Sequence, residues 1–155
     1  MNFSFVALFL LTMQLQKHKS DVESHLLFTA KIISVNGDTV HIETKFTNIG
    51  TDTINYRQWT CFKNYESRVD NANCKLVQPT RCTKNIFEYL MIAPGEIETR
   101  VVAVVLSPKF HKSGSSFRIC HDITFVQESD TAPYLIARYT EETKSFWSEN
   151  LEVFR

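Results

Sequence analysis

The most constraining feature of this sequence is an Asn-Gly pair placed between two stretches of alternating apolar and polar residues. An Asn-Gly pair favours a two-residue hairpin turn, because both central residues of a type I′ turn need a positive φ. Alternation with a period of two is typical of a strand that buries one face. Beyond Asn36-Gly37 one face carries Val40, Ile42, Thr44 and Phe46, and the other carries His41, Glu43, Lys45 and Thr47. Leu26, Phe28, Ala30 and Ile32 keep the same phase before the turn, so the sequence predicts a β-hairpin.

Turn signals separate five further predicted strands, over residues 54–61, 85–92, 97–106, 117–125 and 144–154. Residues 101–106 are apolar at both parities, which is typical of a strand in the middle of a sheet. The seven strands predict an all-β protein, an immunoglobulin-like antiparallel β-sandwich.

One segment departs from the strand period. Ala132, Leu135, Ile136 and Tyr139 follow the i, i+3, i+4, i+7 spacing of a helical stripe, and Ser129 or Asp130 precedes it as a cap. We predict a short helix from about residue 131 to 142, before the last strand. A strand with an outward Arg138 is the competing interpretation.

Length and charge limit the function classes. A chain of 155 residues fits a single domain. Its 17 basic and 17 acidic residues balance, so it lacks the basic footprint of a nucleic-acid-binding protein.

The first 20 residues predict a secretory signal segment. The apolar run from Phe3 to Leu15 spans roughly 20 Å as a helix, too short for a hydrocarbon core of about 30 Å. We therefore expect a signal segment over residues 1–20, one sandwich domain over residues 21–155, and no membrane span once the leader is removed. A buried N-terminal helix or strand is the alternative.

The four cysteines favour disulfides over a metal or redox site. Zinc sites usually present cysteines two to four residues apart, and the spacing of Cys61, Cys74, Cys82 and Cys120 contains no such pair. A redox Cys-x-x-Cys motif is absent as well. An even number of cysteines behind a signal segment indicates disulfides, with three pairings open. Four reduced cysteines in a cytosolic protein are the alternative.

The Cys120-His121-Asp122 triplet is the stretch that most invites a catalytic interpretation. A nucleophilic cysteine needs a histidine within hydrogen-bond reach, but adjacent residues of a strand point to opposite faces. We expect His121 to be a core histidine and Asp122 to form a surface ion pair. No phosphate loop, H-E-x-x-H or G-x-S-x-G motif occurs, so we predict no catalytic residues, no metal, no cofactor and no enzymatic activity.

A group of motifs carries a resemblance to a known family. They are Asn48, Tyr56, Cys61, Cys82, Pro94-Gly95-Glu96 and Trp147-Ser148. In this arrangement the chain resembles an uncharacterised family of small exported immunoglobulin-like β-sandwich proteins of Gram-negative bacteria. The resemblance, together with the closure of one strand end onto the next, makes Cys61–Cys82 the first choice of disulfide. Cys74–Cys120 is the candidate second pair.

Exposed loops are where a sandwich domain usually binds its partners. Residues 62–81 form a long polar loop with Phe62, Tyr65 and Arg68, residue types favoured at interaction hot spots. A second loop, residues 107–116, is expected to expose Phe110. The sequence thus predicts a secreted or periplasmic non-catalytic module of the cell envelope that binds an unknown protein or surface ligand and no nucleic acid. It leaves the oligomeric state open. The alternatives are a proteinase inhibitor that uses an exposed loop and, more weakly, a cysteine-dependent enzyme.

Overall fold

The computed structural model of the chain describes residues 25–59, 66–77, 86–110, 116–128 and 139–153. The elements whose bounds the structure gives are all β-strands. The strands are β1 (Leu26–Asn36), β2 (Thr39–Asn48), β3 (Ile54–Trp59), β4 (Ser67–Val69), β5 (Cys74–Leu76), β6 (Phe87–Ile92), β7 (Ile97–Leu106), β8 (Ser116–Phe117), β9 (Ile119–Glu128), β10 (Tyr139–Trp147) and β11 (Leu151–Glu152).

Two antiparallel sheets form a sandwich, as the sequence predicts. The first sheet has the order β1-β2-β7-β5. The second has the order β10-β9-β3-β6, and β4 also pairs with β9. A small pair, β11-β8, completes the described strands. Seven of these strands have six or more residues, and they correspond to the seven predicted ones.

The predicted hairpin is confirmed, with its turn one residue later than the Asn-Gly pair suggests. Asn36 pairs with Thr39, so Gly37 and Asp38 are the central residues. Gly37 has a φ of 59°, a conformation that glycine adopts without steric cost. The predicted inward residues of β2 are all fully buried. In β1 an irregularity between Ile32 and Ser34 shifts the register, which ends the predicted alternation there.

Strand β7 has the predicted bounds and the predicted central place, between β2 and β5. Only one of its faces is buried, however. Val102, Val104 and Leu106 lie in the core, whereas Val101 and Val105 are exposed on the outer face of the sheet. Apolar residues at both parities here reflect an exposed apolar surface rather than a second covered face.

The predicted helix over residues 131–142 is wrong. Residues 139–142 belong to β10, which runs antiparallel to β9 with Tyr139 opposite Glu128 and Glu142 opposite Phe125. Residues 131–138 lie outside the described residues. Pairing with β9 supplies backbone hydrogen bonds to residues 139–142, and this outweighs the local helical spacing that ends at Tyr139.

The predicted last strand, residues 144–154, is divided in two. The Ser148 hydroxyl accepts a hydrogen bond of 3.1 Å from the Ile119 backbone N–H, and the Ser148 N–H donates one of 2.8 Å to the Ile119 carbonyl. These bonds end the ladder after Trp147, and the chain then forms β11, which pairs with β8 instead of β9. Two short strands that the sequence did not predict, β4 and β5, lie within the cysteine-containing stretch.

Two of the motifs that carry the family resemblance meet at one end of the sandwich. The buried side chain of Asn48 donates hydrogen bonds to the carbonyls of Asp52 (2.8 Å) and Ile92 (2.9 Å) and accepts one from the Gly50 N–H (3.0 Å). The Asn48 carbonyl accepts a hydrogen bond of 2.8 Å from the Gly95 N–H. Gly95 has a φ of 76°, which explains why glycine occupies this turn. The motif residues are therefore structural, because the side chain and the backbone carbonyl of one buried asparagine tie two turns together.

The core consists of two apolar clusters with a polar layer between them. Along β2, Ile42 belongs to one cluster and Phe46 to the other, with Thr44 between them. Along β9, Ile119 and Ile123 likewise belong to different clusters, with His121 between them. Arg100 lies opposite Thr44 on β7, and the polar side chain of Gln58 is buried on β3. We call Thr44, Gln58, Arg100 and His121 the polar belt.

Candidate functional site

The outer face of the second sheet carries a group of exposed apolar side chains on β3 and β6. We call Trp59, Phe87, Tyr89 and Met91 the β6 patch. Register places Trp59 opposite Phe87, and their ring centroids are 3.7 Å apart. Phe87 is 37% exposed, Tyr89 63% and Met91 67%. An apolar group of this size on an outer face is typical of a protein interaction site.

Strand alternation and one arginine hold the β6 patch in place. Ile92 is buried in the core, so Phe87, Tyr89 and Met91, at the opposite parity, point away from it. The Arg57 guanidinium lies 4.1 Å from the centre of the Phe87 ring, and its Nη2 forms an ion pair of 2.8 Å with Glu141. These contacts restrain the aromatic side chains before any partner binds, which lowers the entropic cost of binding.

Sequence reasoning did not single out the β6 patch. The signal was present in residues 86–92, where apolar side chains occur at both parities of a short strand. Such a run fits either a strand covered on both faces or a strand with one exposed apolar face. No described strand covers the outer face of the second sheet, so β6 is a strand with one exposed apolar face.

Arg68, which the sequence proposed as a binding residue, lies in a second cluster on the same outer face. Its Nη2 donates hydrogen bonds to the Asp122 carboxylate (2.8 Å) and the Ser145 hydroxyl (3.0 Å). The guanidinium carbon is 5.7 Å from the centre of the Trp147 ring. Arg118 approaches the same ring at 5.1 Å, so the half-exposed indole has two cations near it. The expected surface ion pair of Asp122 is confirmed, with Arg68 as its partner.

Arg118 is held by a carboxylate of its own. Its Nε donates a hydrogen bond of 2.8 Å to Asp70, whose other oxygen accepts a bond of 2.7 Å from the Arg118 N–H. Burial alone raises the pKa of Asp70, but the hydrogen bonds and charge of Arg118 reverse this effect, so the pKa lies below its usual value. Both arginines in this cluster are neutralised, which leaves the exposed indole as its main binding feature.

Cys120 lies beneath Arg68 as a buried thiol. Its sulfur is 3.6 Å from Arg68 Nη2 and 3.8 Å from Asp122 Oδ1. Burial and the Asp122 charge raise the pKa of Cys120, which keeps the thiol protonated and a poor nucleophile. Burial likewise raises the pKa of Cys74 to about 11.

The candidate second disulfide, Cys74–Cys120, is absent. Both residues carry free thiols, and they lie on different sheets, Cys74 on β5 and Cys120 on β9. A bond would require their Cα atoms to come within about 7 Å across the core. Cys61 and Cys82, the first-choice pair, lie outside the described residues.

The Cys120–His121 pair is split between the two faces of β9. His121 is fully buried, and its Nδ1 shares a hydrogen bond of 2.6 Å with the Ser67 hydroxyl. Its ring packs edge-on against Phe28 and Phe46, with centroids 5.5 and 5.6 Å away. The expectation of a core histidine is confirmed.

Phe110 is not an exposed binding residue. Its side chain is fully buried and packs against Phe117 with ring centroids 6.0 Å apart. A single large apolar residue in a polar loop folds back into the core, because burying its area is worth about 2 kcal/mol. Phe62 and Tyr65 lie outside the described residues.

No group of three or more His, Cys, Asp or Glu side chains in the described part of the chain is arranged to hold a metal ion. No helix in the same part is long and apolar enough to cross a membrane.

Comparison with known proteins leaves the family undetermined. No family model matches the sequence, and no curated protein matches it. Among solved structures, the native conformation of Escherichia coli alpha-2-macroglobulin is 12% identical, with a TM-score of 0.43 over 81% of this chain. A crystal structure of the same protein, from domain MG7 to the C-terminus, is 12% identical with a TM-score of 0.42 over 80% of this chain. The chain spans 7% and 16% of the lengths of these two structures. A protein from Archaeoglobus fulgidus is 11% identical, with a TM-score of 0.30 over 84% of this chain and 98% of its own.

Proposed function

We propose that this protein is a non-catalytic binding module that docks a partner protein through the β6 patch. The observation that carries the proposal is the exposure of Tyr89 and Met91 beside the stacked Trp59–Phe87 pair. Aromatic side chains that are already ordered contribute large contact areas at a small entropic cost. The two described thiols are buried and have raised pKa values, which supports a binding role over thiol catalysis.

The partner is a protein segment that presents apolar side chains to the patch. Arg57, the cation beside the Phe87 ring, is already paired with Glu141. Glu88 shares the parity of Ile92 along β6, so its carboxylate points to the face of the strand opposite the patch. The patch therefore offers apolar area, which an apolar surface on the partner complements. The inhibitor alternative rests on an exposed loop, and no contact among the described residues favours it.

A selected-peptide experiment tests the docking site. Peptides chosen from a random library on the immobilised protein are expected to be rich in apolar and aromatic residues. The double variant Tyr89→Ser/Met91→Ser is expected to bind them at least about tenfold more weakly, because losing two hot-spot contacts costs more than about 1.4 kcal/mol. Val101→Ser, which changes an equally exposed residue on the outer face of the other sheet, is the control and is expected to bind as the parent does.

Three results of that experiment count against the proposal. They are equal binding by the double variant, loss of binding by Val101→Ser, and selection of wholly polar peptides. Sedimentation of the protein alone supplies a further check. Dimers that dissociate in the double variant would show that the patch binds a second copy instead.

The proposal includes an exported location, in the periplasm or outside the cell. An oxidising compartment allows the Cys61–Cys82 bond that the family resemblance implies. Non-reducing alkylation of protein from its native cell fraction is expected to label two cysteines, Cys74 and Cys120, after denaturation, and four after reduction. Four labelled thiols without reduction would contradict export, while the docking experiment above would remain valid.

A further inference from the structure

A polar cavity lies where the turn between β4 and β5 meets β8 and the residue before β11. Its volume is about 360 Å³, within the range of about 300–1,000 Å³ that small-molecule sites occupy. We call this cavity the β4–β5 pocket. Its lining is mainly polar and lies within the described residues, with Asp70, Asn71, Asn73, Ser116 and Asn150 as the polar members. A ligand that fits it must therefore be rich in hydrogen-bonding groups.

Hydrogen bonds fix the wall that the β4–β5 turn contributes to the pocket. The Asn71 side chain donates a hydrogen bond of 3.2 Å to the Ser116 carbonyl and accepts one of 2.9 Å from the Asn73 N–H. The Cys74 N–H donates a bond of 2.9 Å to the Asn71 carbonyl, which closes the turn. The Asn73 carbonyl accepts a bond of 2.8 Å from the Ser107 N–H. The wall is thus ordered before a ligand binds, which lowers the entropic cost of binding.

Arg118 neutralises the charged residue of the lining. Its backbone N–H and its Nε each donate a hydrogen bond to Asp70, at 2.7 and 2.8 Å. A carboxylate has about four acceptor sites, so Asp70 can still accept a hydrogen bond from a ligand. The two Nη nitrogens of Arg118 form no hydrogen bond with a described residue. The Asp70–Arg118 pair therefore offers acceptors and donors side by side without net charge.

Two exposed side chains of the β10–β11 connection add an amide and an aromatic surface. Asn150 is exposed in the pocket lining, and its amide forms no hydrogen bond within the described part of the chain. Trp147 is 40% exposed, and its ring centre lies 5.1 Å from the Arg118 guanidinium. Because Arg118 contacts both Asp70 and Trp147, the indole lies next to the polar groups of the pocket.

We propose that the β4–β5 pocket binds a neutral saccharide. Sugar hydroxyls both donate and accept hydrogen bonds, and the Asn150 amide and the Asp70–Arg118 pair supply partners of both kinds. The C–H face of a sugar ring is apolar and packs on aromatic rings, a surface that Trp147 provides.

Other ligand classes fit the pocket less well. An anion would lie against the Asp70 carboxylate, and a metal cation would lie against the Arg118 guanidinium. A wholly apolar ligand would strip water from polar walls without replacing its hydrogen bonds, which is unfavourable. The saccharide site is separate from the β6 patch, which lies on β3 and β6, so the two proposals stand or fall independently.

Indole N–H signals in NMR spectra test the site, because the chain has two tryptophans, Trp59 in the β6 patch and Trp147 beside the pocket. The probes are cellobiose, maltose and N,N′-diacetylchitobiose, with glycerol as the solvent control. At least one of these sugars is expected to shift the Trp147 signal saturably and to leave the Trp59 signal in place. Asn150→Ala is expected to bind that sugar about fivefold more weakly, the effect of losing one hydrogen bond of about 1 kcal/mol.

The matched control is Asn55→Ala, which removes an exposed asparagine from β3 and is expected to keep the full affinity. Both variants change exposed side chains, so both are expected to fold as the parent does. The proposal is overturned if none of the three sugars shifts the Trp147 signal, or if glycerol shifts it equally. Undiminished binding by Asn150→Ala overturns it as well. A shift caused by the peptide Ala-Ala-Ala and by none of the sugars would assign the pocket to a peptide instead.

Discussion

Acidification is expected to destabilise this protein steeply between about pH 6.5 and pH 3, because His121 must gain a proton that its folded environment rejects. Burial is the main cause of the low pKa of His121, about 3 against a usual 6.5, and the Arg100 charge adds to it, while Asp122 opposes it weakly. The unfolded chain binds this proton below pH 6.5, and the folded chain binds it only near pH 3. The contribution to stability is therefore fully present above pH 6.5 and is lost as the pH falls towards 3.

The measurement compares the free energy of unfolding in urea across this pH range with that of His121→Leu. We expect the difference between the parent chain and the variant to fall by about 4 kcal/mol from pH 7 to pH 3, the value of three pKa units. Comparing the parent chain with His121→Leu cancels the contribution of Glu66, whose effect on stability has the opposite pH dependence. With a folded pKa of about 7, Glu66 stabilises the fold at low pH, and this contribution is lost as the pH rises through 7.

His41 provides a matched control for that measurement. It is half-exposed on the outer face of β2, and its ring shares a hydrogen bond of 3.2 Å with Ser34. His41→Gln is expected to leave the acid-dependent loss of stability in place. A flat difference between the parent and His121→Leu would show that the imidazole is hydrated in the folded state.

The second large effect is expected from removing the cation of the polar belt. Arg100→Met is expected to lower the free energy of unfolding by about 3 kcal/mol at pH 7, because breaking a mostly buried ion pair leaves a carboxylate without its counter-charge. Among the described residues, Glu98 would keep only its hydrogen bond from the Tyr56 hydroxyl. The guanidinium also lies 5.5 Å from the Phe46 ring centre and 6.0 Å from that of Tyr56, contacts that the variant loses in part.

Two further variants separate the charge from the packing. The double variant Arg100→Met/Glu98→Gln is expected to regain most of the loss, since it removes the uncompensated charge. Lys45→Met breaks the Glu43–Lys45 pair, which has the same distance of 2.8 Å but is far more exposed, and is expected to cost less than about 1 kcal/mol. If single and double variants were equally unstable, packing rather than charge would account for the effect.

Much of the sandwich was predictable because strand alternation is a local property. Alternation alone assigned Ile42 and Phe46 to the core, and it also placed Thr44 and His121 on the inward side. The same rule applied to β7 puts Arg100 in phase with Val102, so the polar belt was within reach of the sequence. What alternation did not show is that Thr44 and Arg100 lie directly opposite each other, because that depends on the pairing of strands distant in sequence.

The failures share a physical cause. The helical spacing that ends at Tyr139 favoured a helix locally, but residues 139–142 pair with β9 as part of strand β10. Phe110 lies in a polar stretch of the sequence, but its ring packs against Phe117 in the core and is buried. In both cases a long-range contact outweighed the local pattern, and local patterns carry no information about such contacts.

The sequence by itself determined the all-β class, the hairpin, the inward face of β2 and the histidine in the core, since each follows from neighbours along one strand. Only the tertiary structure decided that Trp59 packs against Phe87 at an exposed face, that Cys74 and Cys120 lie on different sheets, and that Arg100 lies opposite Thr44. These features arise where strands from distant parts of the chain meet, and the free energy of packing them together is not encoded in any one segment.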